Sequence, residues 1–195
     1  EHDDDPWEWE NRQQRTAADH AMEITHDDRL CIWTDGACAE QASFRWRRAG
    51  YGVYFGPGHT WNRSCKLKQF HQSSDRAEMR AVTASIELAE LEGLVFNLAL
   101  DNETVVRIVV HLLRSGEIPS DSDRDLSRRI LSARQKMVTA GVALPLVRWI
   151  KGHFDEERHE KDCFDEDRSG NRGTDQLATA GRDQHRIPKE VISQH

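Results

Sequence analysis

From residue 30 onward the hydrophobic pattern changes period in a fixed order, and that order restricts the chain to a mixed sheet with helices laid on it. Strand-like apolar runs occupy residues 30–35, 49–55 and 60–70. Gly56-Pro57-Gly58 separates the last two and signals a hairpin, so the three form an antiparallel meander. Residues 74–92 then take helical spacing, with Glu78, Ala81, Val82, Ser85, Ile86 and Ala89 on one face and Gly93 as the stop. A strand at 94–100 closes on Asp101, and a second helix covers 102–114. Asp121, Ser122 and Asp123 can cap a third helix ending near Gly141, with Leu126, Ile130, Leu131, Ala133 and Met137 as its apolar stripe. A last strand at 144–150, an acidic loop at 154–170 and a short helix at 171–180 complete the order βββαβααβα. At 195 residues this is one α/β domain with tails.

The formal charge of −7 argues at first against a nucleic-acid partner. Its distribution reverses that. Residues 1–29 hold ten acids and three bases, and residues 154–170 hold eight acids and three bases; the remainder carries 16 acids and 21 bases. The body of the chain is therefore mildly basic. Residues 1–29 show no strand character and read as an acidic linker or docking helix, residues 30–182 as the domain, and residues 183–195 as a tail. The start at Glu1 reads as a piece processed from something longer. No apolar run approaches the roughly 18 residues that cross a bilayer, and the acidic N-terminus is unlike a signal peptide, so an intracellular chain without a membrane partner is expected. Cys31, Cys38, Cys65 and Cys163 lack C-x-x-C spacing and read as reduced thiols rather than zinc ligands or disulfides.

Four acids stand where burial patterns favour apolar residues. Asp35 and Asp101 each close a strand run, where open α/β sheets place their sites. Glu78 projects from an apolar helix face, where a lone carboxylate costs several kcal/mol and calls for a cation. Asp175 lies one turn into the last helix. Singly, each is an ordinary turn or cap residue. Together they are converging carboxylates that repel unless divalent cations bind between them, and oxygen-only ligation suits Mg²⁺ or Mn²⁺. Two such ions roughly 4 Å apart are the arrangement of phosphodiester hydrolysis.

The segments Trp33-Thr34-Asp35-Gly36-Ala37-Cys38, Gln72-Ser73-Ser74-Asp75-Arg76-Ala77-Glu78, Leu98-Ala99-Leu100-Asp101-Asn102, Trp149-Ile150-Lys151-Gly152-His153 and Asn171-Arg172-Gly173-Thr174-Asp175 occur in the order of the type 1 ribonuclease H family, which this chain resembles over residues 30–181. The resemblance implies a ribonuclease H-like fold with a five-stranded mixed sheet. It implies a two-metal endonuclease, with Mg²⁺ or substituting Mn²⁺, that hydrolyses the RNA strand of RNA/DNA hybrids. Asp35, Glu78, Asp101 and Asp175 would be the metal ligands, Asp35 bridging both ions, Glu78 and Asp101 on the product side and Asp175 on the side of the water. His153 would assist proton traffic or product release. Cys38, Ser73, Ser74, Asp75 and Asn171 would meet substrate.

Three features depart from the family. Arg45, Trp46, Arg47 and Arg48 interleave bases with an aromatic and suit a nucleic-acid backbone, or equally a solvated hairpin. Residues 115–120 replace the basic protrusion of many members, as in the handle-free domains fused to reverse transcriptases; Arg124, Arg128 and Arg129 could compensate. A monomeric domain beside a reverse transcriptase of a retroelement polyprotein is the expected context. The acidic 154–170 insertion reads as solvated, so deleting residues 156–167 should leave hybrid cleavage within a few fold. The alternatives are a catalytically silent hybrid-binding or scaffold module and another carboxylate nuclease of the same fold, such as an integrase or exonuclease. A glycosidase would need only a carboxylate pair and no metal.

Overall fold

The computed structural model describes residues 9, 12–39, 47–68, 71–120, 122–152 and 165–185. Its elements are α1 (Ala17–Met22), β1 (Thr25–His26), β2 (Arg29–Ala39), β3 (Arg48–Tyr54), β4 (Arg63–Lys66), α2 (Ser74–Glu92), β5 (Phe96–Leu100), α3 (Glu103–Ser115), α4 (Arg124–Thr139), β6 (Leu146–Trp149) and α5 (Asp165–Asp183). The strands form one sheet in the order β4-β3-β2-β5-β6, with β1 paired to β2. The β2-β3-β4 meander is antiparallel, whereas β5 lies parallel to β2 and β6 parallel to β5.

Strand alternation gives the sheet two unlike faces. Leu30 and Ile32 join the large core built with α2, α3 and α4, while Cys31 and Trp33 form a small cluster with Ala99 and Ile150. The helix α5 covers this second face closely enough that a Cβ on Gly52 of β3 would stand 2.5 Å from the Thr174 carbonyl oxygen. On the first face α2 is the central helix, capped by Ser73 Oγ on the Arg76 amide and ended by Gly93 at φ +64°. Buried Arg76 is paired with Asp123 and Asp125 at the start of α4.

Four expectations from the sequence are corrected. The sheet has six strands rather than five: β1 is joined to β2 by Asp27 and Asp28, both in the left-handed region (φ 52° and 59°) that a tight two-residue hairpin requires. The segment before residue 29 therefore does contain a strand. Over its described part this segment, which carries the helix α1, packs against the body of the fold. Trp9 is 2% exposed and donates its indole N–H to the Ala84 carbonyl, Trp61 donates to the Gln13 carbonyl, and Asp19 accepts from both the amide and hydroxyl of Thr60. The strand β2 runs on to Ala39, so Asp35 lies within it rather than at its end; β3 pairs along the extra residues after β5 has stopped. Finally, α5 begins at Asp165, six residues before the expected start, so residues 165–170 are helix and not loop.

Candidate active site

The parallel register ends on Trp33 opposite Ala99, and two residues further on each chain segment stand Asp35, still within β2, and Asp101, just past the end of β5. Glu78 comes from the opposite face, one turn into α2. That turn lies directly on β2 because Gly36 has no side chain: a Cβ there would stand 2.3 Å from the Glu78 amide nitrogen. Ser74 Oγ locks the contact by donating to the Gly36 carbonyl at 2.8 Å. As a result, Asp35, Glu78 and Asp101 each offer an oxygen within 4.8 Å of the others. Asp101 is backed by Gly152, where a Cβ would stand 2.3 Å from Oδ2, and by Trp149, whose indole N–H donates to the Asp101 carbonyl at 2.9 Å. The protein groups beside Glu78 are two more carboxylates, so the cation that its burial calls for would be one held among the three.

Three carboxyl groups at this spacing hold one another's protons. Burial first, and then Asp101 and Asp175, push Asp35 up to about 6 against the opposing N–H of Gly36, which donates to Asp35 Oδ1 at 2.7 Å. Burial, then Asp35 and Asp101, raise Glu78 well above the usual carboxylate range. Glu78 is 2% exposed and its Oε1 has no hydrogen-bond partner. An oxygen-only donor set with a buried unsatisfied acceptor fits a hard divalent cation.

The cluster opens into a cleft of about 680 Å³ lined by Asp35, Asp101 and Asp175, with Cys38, Ser74 and Asn171 among its other walls. Asp175 stands in this wall, exposed, rather than in the close trio. Of the remaining sequence candidates, Ser73 is the cap of α2 and Asp75 accepts from the Asn102 side-chain amide at 2.8 Å, so both have local structural work. Arg48 opens β3 and Arg47 precedes it, close enough to Cys38 to oppose the upward push of burial on its thiol. Arg129 is held by Glu87 through two bonds of 2.7 Å. His153, Arg45 and Trp46 lie outside the described residues.

The sequence pattern missed the cationic wall of the cleft. Arg168, Arg172 and Arg182 line it together with Thr179. Their spacing with Asp175 (168, 172, 175, 179, 182) is one helical face, hidden while the helix was bounded at 171 and 180.

The chain belongs to the RNase H family, whose family model matches residues 27–183. It is 39% identical to human Ribonuclease H1 over 67 residues, 34% of this chain and 23% of that protein. It is 37% identical to rat Ribonuclease H1 over 65 residues, 33% of this chain and 22% of that one, so each match spans less than a quarter of the relative. Among solved structures, the PFV RNase H domain superposes with a TM-score of 0.54 at 17% identity, covering 78% of this chain and 93% of that one. An RNase H1 isolated from compost gives 0.50 at 15% identity, covering 80% and 96%. The native protease-reverse transcriptase of prototype foamy virus gives 0.56 at 17% identity, covering 81% of this chain and 21% of the larger one. At these identities the likeness is one of fold.

Proposed function

We propose that the chain is a metal-dependent endonuclease that hydrolyses the RNA strand of RNA/DNA hybrids, working as a domain beside a reverse transcriptase of a retroelement. The observation that carries this is the meeting of Asp35, Glu78 and Asp101 within 4.8 Å around an unsatisfied Glu78 oxygen, with Asp35 and Asp101 lining an open cleft. Asp35, Glu78, Asp101 and Asp175 would hold two Mg²⁺ ions, with Mn²⁺ as substitute. When bound, these ions supply Lewis-acid stabilisation of the charge that develops on the phosphate. The chain's own part is placement: β2 and β5 hold two carboxylates in register, α2 brings the third, and α5 carries the fourth. Arg168, Arg172 and Arg182 give the cleft a cationic wall that draws phosphates toward the acids. Selection of RNA on one strand requires contacts to 2′-hydroxyls, for which Cys38, Ser74 and Asn171 are the short groups on the wall.

The reverse-transcriptase context is supported by the connection between α3 and α4, which carries no further helix or strand among the described residues and so no basic protrusion. Duplexes of RNA/DNA, RNA/RNA and DNA/DNA, incubated with the protein and Mg²⁺, test the activity. Cleavage confined to the RNA of the hybrid, leaving 5′-phosphate and 3′-hydroxyl ends, is expected. Cutting of DNA/DNA at a similar rate points instead to an integrase-like or exonuclease-like enzyme, and cleavage that persists in chelator removes the metal assignment.

A further inference from the structure

Asp167 is 3% exposed although it belongs to the acidic run expected to be solvated. Its two oxygens accept from the two terminal nitrogens of Arg148 on β6, at 2.5 Å each, and Oδ1 also accepts from the indole N–H of Trp33 on β2 at 3.1 Å. One turn along α5, Gly170 lies flat on the Trp33 ring, with no room for a Cβ, which would stand 2.2 Å from Cδ2. A further turn on, the buried Thr174 hydroxyl is shared between the carbonyls of Trp33 at 3.4 Å and Gly52 at 3.3 Å. Residues 167, 170 and 174, followed by the fully buried Ala178, are thus the sheet-facing stripe of the helix. The cleft-lining residues Arg168, Asn171, Asp175 and Thr179 each come one position later. Trp33, where the stripe is anchored, lies two residues before Asp35 on the same face of β2.

We propose that Asp167 is a positioning residue for the carboxylate centre, fixing the rotation of α5 through Arg148 and Trp33 and thereby where Asn171 and Asp175 stand relative to Asp35. The proposal rests on the reading of that centre as a divalent-cation site. A two-toothed guanidinium-carboxylate contact fixes orientation as well as distance, and neither an amide nor an ammonium reproduces both teeth. Because the cleft stripe is offset by one residue from the anchored stripe, a small rotation of α5 moves every one of its cleft groups at once.

Asp167→Asn and Arg148→Lys test this, at a temperature where circular dichroism shows each variant folded. The backbone amide resonances of Asn171 and Asp175 are followed during titration with Mg²⁺ alone, and kcat and KM are measured on an RNA/DNA hybrid. The expected result is a Mg²⁺ half-saturation point raised about tenfold, and kcat lowered about tenfold or more with KM within about twofold. A lowered melting temperature with unchanged half-saturation and kcat overturns the proposal, since the contact then only stabilises the fold. If Asp167→Asn is unfolded at the assay temperature, Arg148→Lys, at a side chain 36% exposed, carries the test alone. A wild-type protein whose Asp175 amide ignores Mg²⁺ and which does not cut the hybrid overturns the cation reading itself, and the proposal with it.

Discussion

Asp35 combines burial with two acidic neighbours, and its raised proton affinity has a consequence for stability. A carboxyl group that binds its proton more tightly when folded stabilises the fold fully below its unfolded value and loses that contribution as pH rises. Here the loss falls between the ordinary carboxylate value of 3.8 and about 6. In chelator, Asp35→Asn is therefore expected to raise the melting temperature at pH 8, with the gain shrinking below pH 5; calorimetric melts across that range decide it, and a gain independent of pH contradicts the repulsion. At this scale the sequence was informative. Asp35, Glu78 and Asp101 are legible because a carboxylate in an apolar pattern violates the burial rule and asks for a reason. Asp167 was not legible, because it violates nothing visible: in an acidic run one more acid reads as solvated, and its partners Trp33 and Arg148 are 134 and 19 residues away.

Elements were legible where one period and one cap coincide, and misjudged where tertiary partners decide. The helix α2 has the bounds that its pattern gives, because Ser73 and Gly93 mark its ends chemically. The start of α5 was hidden because Asp165, Glu166 and Asp167 look like loop, yet acids in a first turn suit a helix N-terminus. The N-terminal segment was hidden because its anchors, Trp9 and Trp61, close long loops that local spacing does not reveal. Trp9 fills a core site and its indole is covered by the Arg63 guanidinium 4.5 Å above the ring. Trp9→Ala should cost about 3–5 kcal/mol of unfolding free energy, measurable by urea denaturation. A change below about 1 kcal/mol would show that this segment is not part of the folded unit. Deletion of residues 156–167 is now expected to lower hybrid cleavage by about tenfold or more, where the sequence pattern had implied a few fold, because it removes Asp167 from its contact with Arg148. A single-turnover rate within threefold of wild type would restore the earlier expectation.

Across the whole molecule, the acidic total is a poor guide to the charge of the cleft. Along the sequence the excess of acids falls in the first 29 residues and the 154–170 run, whereas the cleft is lined by Arg168, Arg172 and Arg182 of α5 beside its carboxylates. Binding of hybrid should therefore weaken with salt, and Arg172→Ala should reduce the slope of log affinity against log salt by roughly 0.7–0.9. An unchanged slope would take Arg172 out of the phosphate path. The fold brings this wall, the second half of β2, the start of α2 and the residue after β5 to a single cleft, and the chemistry assigned to the cleft depends on the three converging acids more than on any other feature. Asp101→Asn keeps the shape of that centre and removes one of its charges. Single-turnover cleavage of a labelled RNA/DNA hybrid in Mg²⁺, by wild type and Asp101→Asn side by side, is the most direct test. Product from wild type with a loss of at least about a thousandfold in the variant is expected, whereas product from both, or from neither, contradicts the assignment.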